Sequence, residues 1–357
     1  MGKSIYVTLC LAMAMVSMGC GKKERPAEPT PKAGKTATTQ PATKPATSPD
    51  SSDDTRGLLK ISGKLTIAVI PKGTSHLFWK SVHFGAQQGA ASEGGVEIIW
   101  KGGIKEDDLE AQVKVIEDFI ARKVDGIVLA PLHDKALKRQ VADAKAAGIP
   151  VVIFDSDLDS KDQVSFVATD NYAGGVKAGE KMLQLLGDKG GKIVMVRYVA
   201  GHASTGKREQ GFLDTVKKGK NIEILSENLY GGPDVDTAVK TAENLLPKLR
   251  QADGVYTPNE PTSYGMLLVL QQNALAGKIK FVGFDGSPKL AAGLAAGQVD
   301  ALVLQDPINM GKLAVINMVK HLRGEKVKEF EDTGCALATK ENMDKPEIKN
   351  LLTPELK

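Results

Sequence analysis

From Lys64 onward, apolar runs of strand length alternate with amphipathic stretches of helix length. The pattern predicts strands at 65–70 (LTIAVI), 96–100, 126–130, 151–154, 165–169, 192–198, 222–228, 254–257, 279–284 and 301–304. Helices are predicted between them, at 79–92, 108–122, 134–147, 172–187, 207–218, 236–250, 261–275, 288–296 and 308–323. Many of the strands are apolar throughout, as expected when helices cover both faces of a sheet. Regular strand–helix alternation implies parallel sheets assembled from right-handed βαβ units. AAGIP at 146–150 and GDKGGK at 187–192 mark helix stops and strand starts. The segment ATDNYAGG at 168–175 reads as a crossover between two lobes, whose sheets would face each other across a cleft.

Four of the apolar strands run out into a polar side chain: Asp155, Asn259, Asp285 and Gln305. In open α/β sheets ligands bind beyond the carboxyl ends of the strands. Two carboxylates and two amides placed there suit a neutral, hydroxyl-rich ligand. None of the four is a nucleophile with an attendant base, so the pattern points to binding rather than cleavage.

The N-terminus changes the picture of where this domain works. Lys3 precedes an apolar run from Ile5 to Met18, then Gly19-Cys20. This reads as a secretory signal over 1–20, too short for a comfortable membrane-spanning helix. Cys20 at its end resembles a lipobox cysteine, although Ser17 and Met18 depart from the usual residues there. The stretch after it, to about residue 60, is rich in Pro, Thr, Ala, Ser and Lys and cannot bury enough apolar surface to offset its ordering. It reads as a disordered tether holding the folded part off a membrane. The chain of 357 residues carries 47 Lys and Arg against 43 Asp and Glu, and much of the excess lies in the signal and tether. No nucleic-acid footprint follows from that balance. Cys10 and Cys20 belong to the signal region, which leaves Cys335 alone, so no disulfide or cysteine metal site is expected. The five histidines are scattered; His76 and His83 lack a third ligand nearby, and no metal or other cofactor is expected.

Eight segments in order carry a family resemblance over about residues 62–340. They are SHLFWKSVHFGAQQGA, DGIVLAP, AGIPVVIFDSD, TDNYAGGVKAGE, HASTGKREQGF, NEPTSYGML, VGFDGSP and LQDPINMG. The chain resembles periplasmic binding proteins of the ribose/galactose type, the sugar-capturing components of ABC importers. That resemblance implies two Rossmann-like α/β lobes with parallel sheets, hinge-linked by three crossings near 168–172, 304–308 and 328–333. It implies an N-terminal lobe of 61–168 plus 306–328, a C-terminal lobe of 169–305 plus 329–342, and a tail over 343–357. Carried over by motif, the first lobe supplies His76, Phe78, Trp79, Asp155 and Ser156. The second supplies Arg208, Tyr230, Asn259, Asp285 and Gln305. Ser156 stands where ribose binders carry Arg, and His76 where they carry Asn, so the first-lobe contacts are rewritten.

Each residue also has a plainer reading. Phe78 and Trp79 offer an aromatic face for a sugar ring, or they start a core helix. Asp155 and Asp285 can accept from vicinal hydroxyls; Asp285 can instead cap the helix at 288–296. Paired carboxylates also serve glycosidases, but these two belong to opposite lobes. Arg208 presents a planar fork of donors to a ring oxygen and hydroxyls, or lies on a helix surface. Asn259 and Gln305 suit hydroxyls that both give and take, or satisfy backbone at strand ends. GHASTGK at 201–207 fits seven positions of a phosphate loop, but Arg208 replaces the metal-binding hydroxyl. His202 in that loop is a further candidate for the cleft.

The resulting expectation is an exported, lipid-anchored, monomeric protein that is not an enzyme. It captures a monosaccharide or sugar alcohol and hands it to an ABC permease. The alternative is a sensor presenting ligand to a membrane receptor or kinase. A LacI-type repressor shares the core fold but needs a helix-turn-helix where this chain has a signal and tether.

Overall fold

The computed structural model describes residues 63–356. The signal, Cys20 and the tether lie outside the described residues. Two six-stranded sheets organise the fold. The first contains β1 (Leu65–Ile70), β2 (Val96–Trp100), β3 (Gly126–Leu129), β4 (Val151–Phe154), β5 (Ser165–Ala168) and β11 (Phe330–Asp332). Its order is β11-β5-β4-β3-β1-β2, with every pairing parallel. The second contains β6 (Gly191–Arg197), β7 (Ile222–Tyr230), β8 (Gly254–Tyr256), β9 (Lys280–Phe284), β10 (Ala301–Gln305) and β12 (Cys335–Ala338). Its order is β12-β10-β9-β8-β6-β7, parallel except for β12 against β10.

Helices cover both faces of each sheet, which is why β3, β4 and β10 are buried at every position. In the first lobe α1 (Leu77–Glu93) and α10 (Pro307–Leu322) cover one face. α2 (Leu109–Ala121) and α3 (Lys138–Ala146) cover the other. In the second lobe α4 (Asn171–Leu186) and α5 (Ala203–Val216) lie on one face. The opposite face carries α6 (Val235–Asn244), α8 (Glu260–Gln272), α9 (Pro288–Ala295) and α11 (Pro346–Leu352). Two of these helix pairs meet backbone to backbone through glycine. A Cβ on Gly85 of α1 would fall on the Ile308 carbonyl of α10, and one on Gly175 of α4 on the Arg208 carbonyl of α5. The second contact fixes where Arg208 stands.

The chain passes between the lobes after β5, after β10 and between β11 and β12. Several boundaries differ from the sequence expectation for identifiable reasons. The helix expected at 236–250 breaks at Leu245, because Pro247 lacks an N–H and its ring crowds the preceding turn; the short α7 (Leu246–Leu249) follows. α5 begins at Ala203 rather than 207, so the GHASTGK segment is mostly helix. Residues 330–332 pair with β5 and therefore belong to the first sheet, not to the second lobe as the 329–342 assignment had it. The expected tail at 343–357 contains α11, whose Ile348 and Leu352 are buried in the second-lobe core. Gly286 lies so close to the Leu352 backbone that no side chain would fit between them.

Candidate functional site

The carboxyl ends of both sheets converge on a small cavity of about 30 Å³. His76, Phe78, Trp79, Asp155, Arg208, Asn259, Asp285 and Gln305 line it. The two strand-end aspartates are built alike. Asp155 donates its N–H to the Val167 carbonyl of the neighbouring strand at 3.0 Å, and Asp285 does the same to Val303 at 2.8 Å. Both hold positive φ, 60° and 68°, a conformation that Asp tolerates better than bulkier residues but that still stores backbone strain. The turn aims both carboxylates over the sheet edge. Asp285 does not cap α9, since Ser287 takes that role by accepting from Leu290 N.

Asp285 is held on several sides. Gln305 Nε2 donates to its Oδ1 at 2.8 Å, and the Glu260 N–H at the start of α8 donates to Oδ2 at 3.1 Å. The Arg208 guanidinium lies 3.8 Å from Oδ2. Burial raises the Asp285 pKa, with Arg208 and these hydrogen bonds pulling the other way. Arg208 donates from Nε to Asn171 at 2.7 Å and from Nη1 to the Pro258 carbonyl at 3.0 Å, and it stacks 4.0 Å over the Phe284 ring. Asn259 caps α8, accepting from Thr262 N at 3.4 Å and Thr262 Oγ1 at 2.6 Å. The Oε1 of Gln305 is buried without a partner.

The two aromatics divide their duties. Trp79 is 2% exposed and sits in the first-lobe core, edge-on to Phe154 with ring centroids 6.1 Å apart. Phe78, edge-on to Trp79, is only partly buried and also faces the cavity. Trp79 Nε1 donates to Glu106 Oε1 at 2.7 Å, and His76 Nδ1 lies 3.0 Å from the same oxygen. Burial would raise the Glu106 pKa, but His76 and the Lys72 charge lower it to about 2. Burial likewise opposes the charged form of His76, yet Glu106 raises its pKa above the ordinary value. The result is a largely buried imidazole–carboxylate pair in the cavity wall.

Two expected site residues stand elsewhere. Ser156 is fully buried, and its Oγ accepts from Ser204 N across the lobe boundary at 3.1 Å. Tyr230 ends the edge strand β7, beyond two register shifts against β6, and is 47% exposed outside the cavity lining.

Sequence reasoning missed Lys72, Glu106, Tyr198, Ser204, Thr205 and Glu260, all of which line the cavity. Lys72 is 3% exposed, with its Nζ 2.7 Å from Asp155 Oδ2 and 3.1 Å from Ser204 Oγ in the other lobe. Its position two residues beyond β1 was the available signal. His202, the N-cap of α5, also lines the cavity. Burial and the nearby Lys72 charge lower its pKa to about 3, so it is neutral at pH 7. Lys207, which would serve a phosphate loop, instead pairs with Asp157 at 2.8 Å on the surface. That pair and Lys105–Asp234 at 2.8 Å bridge the lobes, as does the Asp134 N–H to the Gly201 carbonyl at 3.0 Å.

Two parallel-sheet lobes closed on one polar, aromatic-walled cavity define a two-lobe small-molecule binding protein. The chain belongs to the periplasmic binding protein domain family, which it matches over residues 67–326. An ABC transporter solute binding protein from Agrobacterium vitis with bound D-fucose is 38% identical with a TM-score of 0.77, covering 80% of this chain and 99% of that one. A carbohydrate transporter solute binding protein from Agrobacterium radiobacter in complex with D-arabinose is 31% identical with a TM-score of 0.77, covering 82% and 100%. The D-allose-binding periplasmic protein of Escherichia coli is 29% identical over 267 residues, 73% of this chain and 85% of that protein.

Proposed function

We propose that this protein captures a neutral monosaccharide or sugar alcohol between its lobes and delivers it to an ABC permease. The observation that carries this reading is the convergence of Asp155 and Asp285, one from each lobe, on a cavity that also holds Arg208, Asn259, Gln305 and Phe78. Vicinal hydroxyls donate to the carboxylates, the amides serve hydroxyls that both give and accept, and the Phe78 ring lies against the C–H face of the sugar. A ligand spanning both aspartates draws the lobes together, and the closed form is what the permease receives. The sugars named for the relatives support this ligand class, and their naming as binding proteins supports a role without turnover. A thermal-shift screen of pentoses, hexoses, polyols and inositols tests it: a true ligand raises the melting temperature by mass action. A panel that leaves the melting temperature unmoved contradicts it.

The N-terminal sequence supports export and a lipid anchor at Cys20. Fatty-acid labelling in cells tests the anchor. Label should enter the wild type and be lost in Cys20→Ala; label retained by the variant excludes that cysteine.

A further inference from the structure

The end of the chain has no part in the grip described so far, and it lies beyond residues 67–326, which the family model matches. α11 belongs to the second lobe: Ile348 and Leu352, four apart on one helix face, are buried in its core. Leu351 lies about 100° round the helix from Leu352 and is only partly buried, at the edge of that core. With Pro354 it lines a seam whose other wall includes Leu77 and Phe78, from α1 of the first lobe. Asp285 and Gln305 also face the seam, and these two with Phe78 line the ligand cavity as well. The seam has about 10 Å³ of free space, room for one water at most, so it is packing rather than a ligand site. The end of α11 rests on the Asp285–Gly286 turn itself, since a Cβ on Gly286 would fall on the Leu352 backbone.

We propose, resting on the sugar-binding reading for the ligand, that Leu351–Pro354 is a strap across the lobe boundary that slows the release of bound sugar. When the lobes part, Leu77 moves with the first and Leu351 with the second, and the seam fills with water. Closing it removes apolar surface from water again. A contact made in only one of two states shifts the equilibrium toward that state, so the strap favours the closed form. It also stands behind Phe78, the ring that lies against the sugar. Capture starts from the open form, in which the strap touches only its own lobe. The strap therefore acts on release rather than on association.

Leu77 and Leu351 line the seam but not the ligand cavity, so replacing them leaves the sugar contacts in place. The test is a double-mutant cycle of Leu77→Ala and Leu351→Ala, read by stopped-flow fluorescence with Trp79 in the cavity wall as reporter. The probe is the tightest binder among D-fucose, D-arabinose, D-allose and myo-inositol. Each single substitution should speed release about threefold and leave the association rate within about twofold of the wild type. The double variant should release about as fast as either single one, because both remove the same contact. Two unconnected structural defects would instead multiply, to about ninefold. Multiplying effects, an unchanged release rate, or a loss confined to association overturns the strap. A second measurement needs no sugar: small-angle X-ray scattering of the ligand-free wild type and of Leu351→Ala/Pro354→Gly. The radius of gyration should grow in the variant as the lobes part, and an equal radius overturns the strap. Should Leu351→Ala fail to melt cooperatively, Pro354→Gly alone takes its place in both measurements. A wild type that binds none of the four sugars overturns the sugar-binding reading, and scattering then decides the strap by itself.

Discussion

Replacing Asp285 by Asn separates ligand recognition from folding. Asn keeps the shape of the side chain and tolerates the positive φ of 68° at this position. It converts one acceptor oxygen into a donor, which then faces either Gln305 Nε2 or the Glu260 N–H. A carboxylate has about four lone-pair sites, so about two remain for ligand hydroxyls. Hydrogen bonds to a charged acceptor contribute about 1.5–3 kcal/mol each. Losing two at the lower end removes about 3 kcal/mol, or about 100-fold in Kd. Stability should move the other way. Burial raises the Asp285 pKa above its ordinary 3.8, so the folded state takes up the proton more readily than the unfolded chain. Stability linked to this group is therefore greatest at low pH and falls as pH rises through the folded value. At pH 7, well above the unfolded value, this carboxyl group opposes folding of the ligand-free protein, and Asp285→Asn should melt at the wild-type temperature or above. Isothermal titration calorimetry and a thermal melt at pH 7 read both effects. A Kd within about threefold of the wild type, a difference well under 1 kcal/mol, refutes the reasoning, as does a clear drop in melting temperature.

Three further perturbations test other parts of the account. Glu106→Gln should be less stable than the wild type above about pH 4.5, and the gap should shrink as pH falls toward 2, since the depressed Glu106 pKa gives stability that is lost on acidification; a melting-temperature gap at pH 2 as large as that above pH 4.5 contradicts this. Lys105→Met removes an exposed cross-lobe ion pair, so sugar affinity should fall slightly at low salt and match the wild type at high salt; titrations at two ionic strengths decide it, and a salt-independent loss contradicts screening. Gly85→Ala places a methyl group on the Ile308 carbonyl and should destabilise by about 1–3 kcal/mol in denaturant titration; an unchanged midpoint would show that α1 and α10 separate freely.

The architecture was legible because most of the first ten strands are short, apolar runs, and burial on both faces leaves the inner ones no other pattern; the edge strands β2 and β7 are more mixed. β11 and β12 were not legible, since FED and CALA are too short and mixed to show a period, and each is held by its neighbour in space rather than by its own residues. α11 hid in a polar tail because only Ile348 and Leu352 of its residues are buried. In the site, the strand-end residues were visible because topology fixes where strands stop. Lys72 was not, since lysine is almost never fully buried unless paired, and its partner Asp155 lies 83 positions on in sequence. Glu106 lies in a charged run, KEDDLE, and only folding brings Trp79 and His76 against it. Tyr230 failed the other way: the strand was expected to stop at residue 228, but β7 runs on to Tyr230, where register shifts on an edge strand leave it in solvent.

The central claim is that a sugar lies between the lobes, gripped by one aspartate from each. Co-crystallisation with the tightest sugar from the thermal-shift screen tests it directly. The account predicts density for one sugar in the cavity, with hydroxyl oxygens within hydrogen-bond distance of both Asp155 and Asp285. A sugar bound elsewhere, or one that touches neither carboxylate, would contradict it.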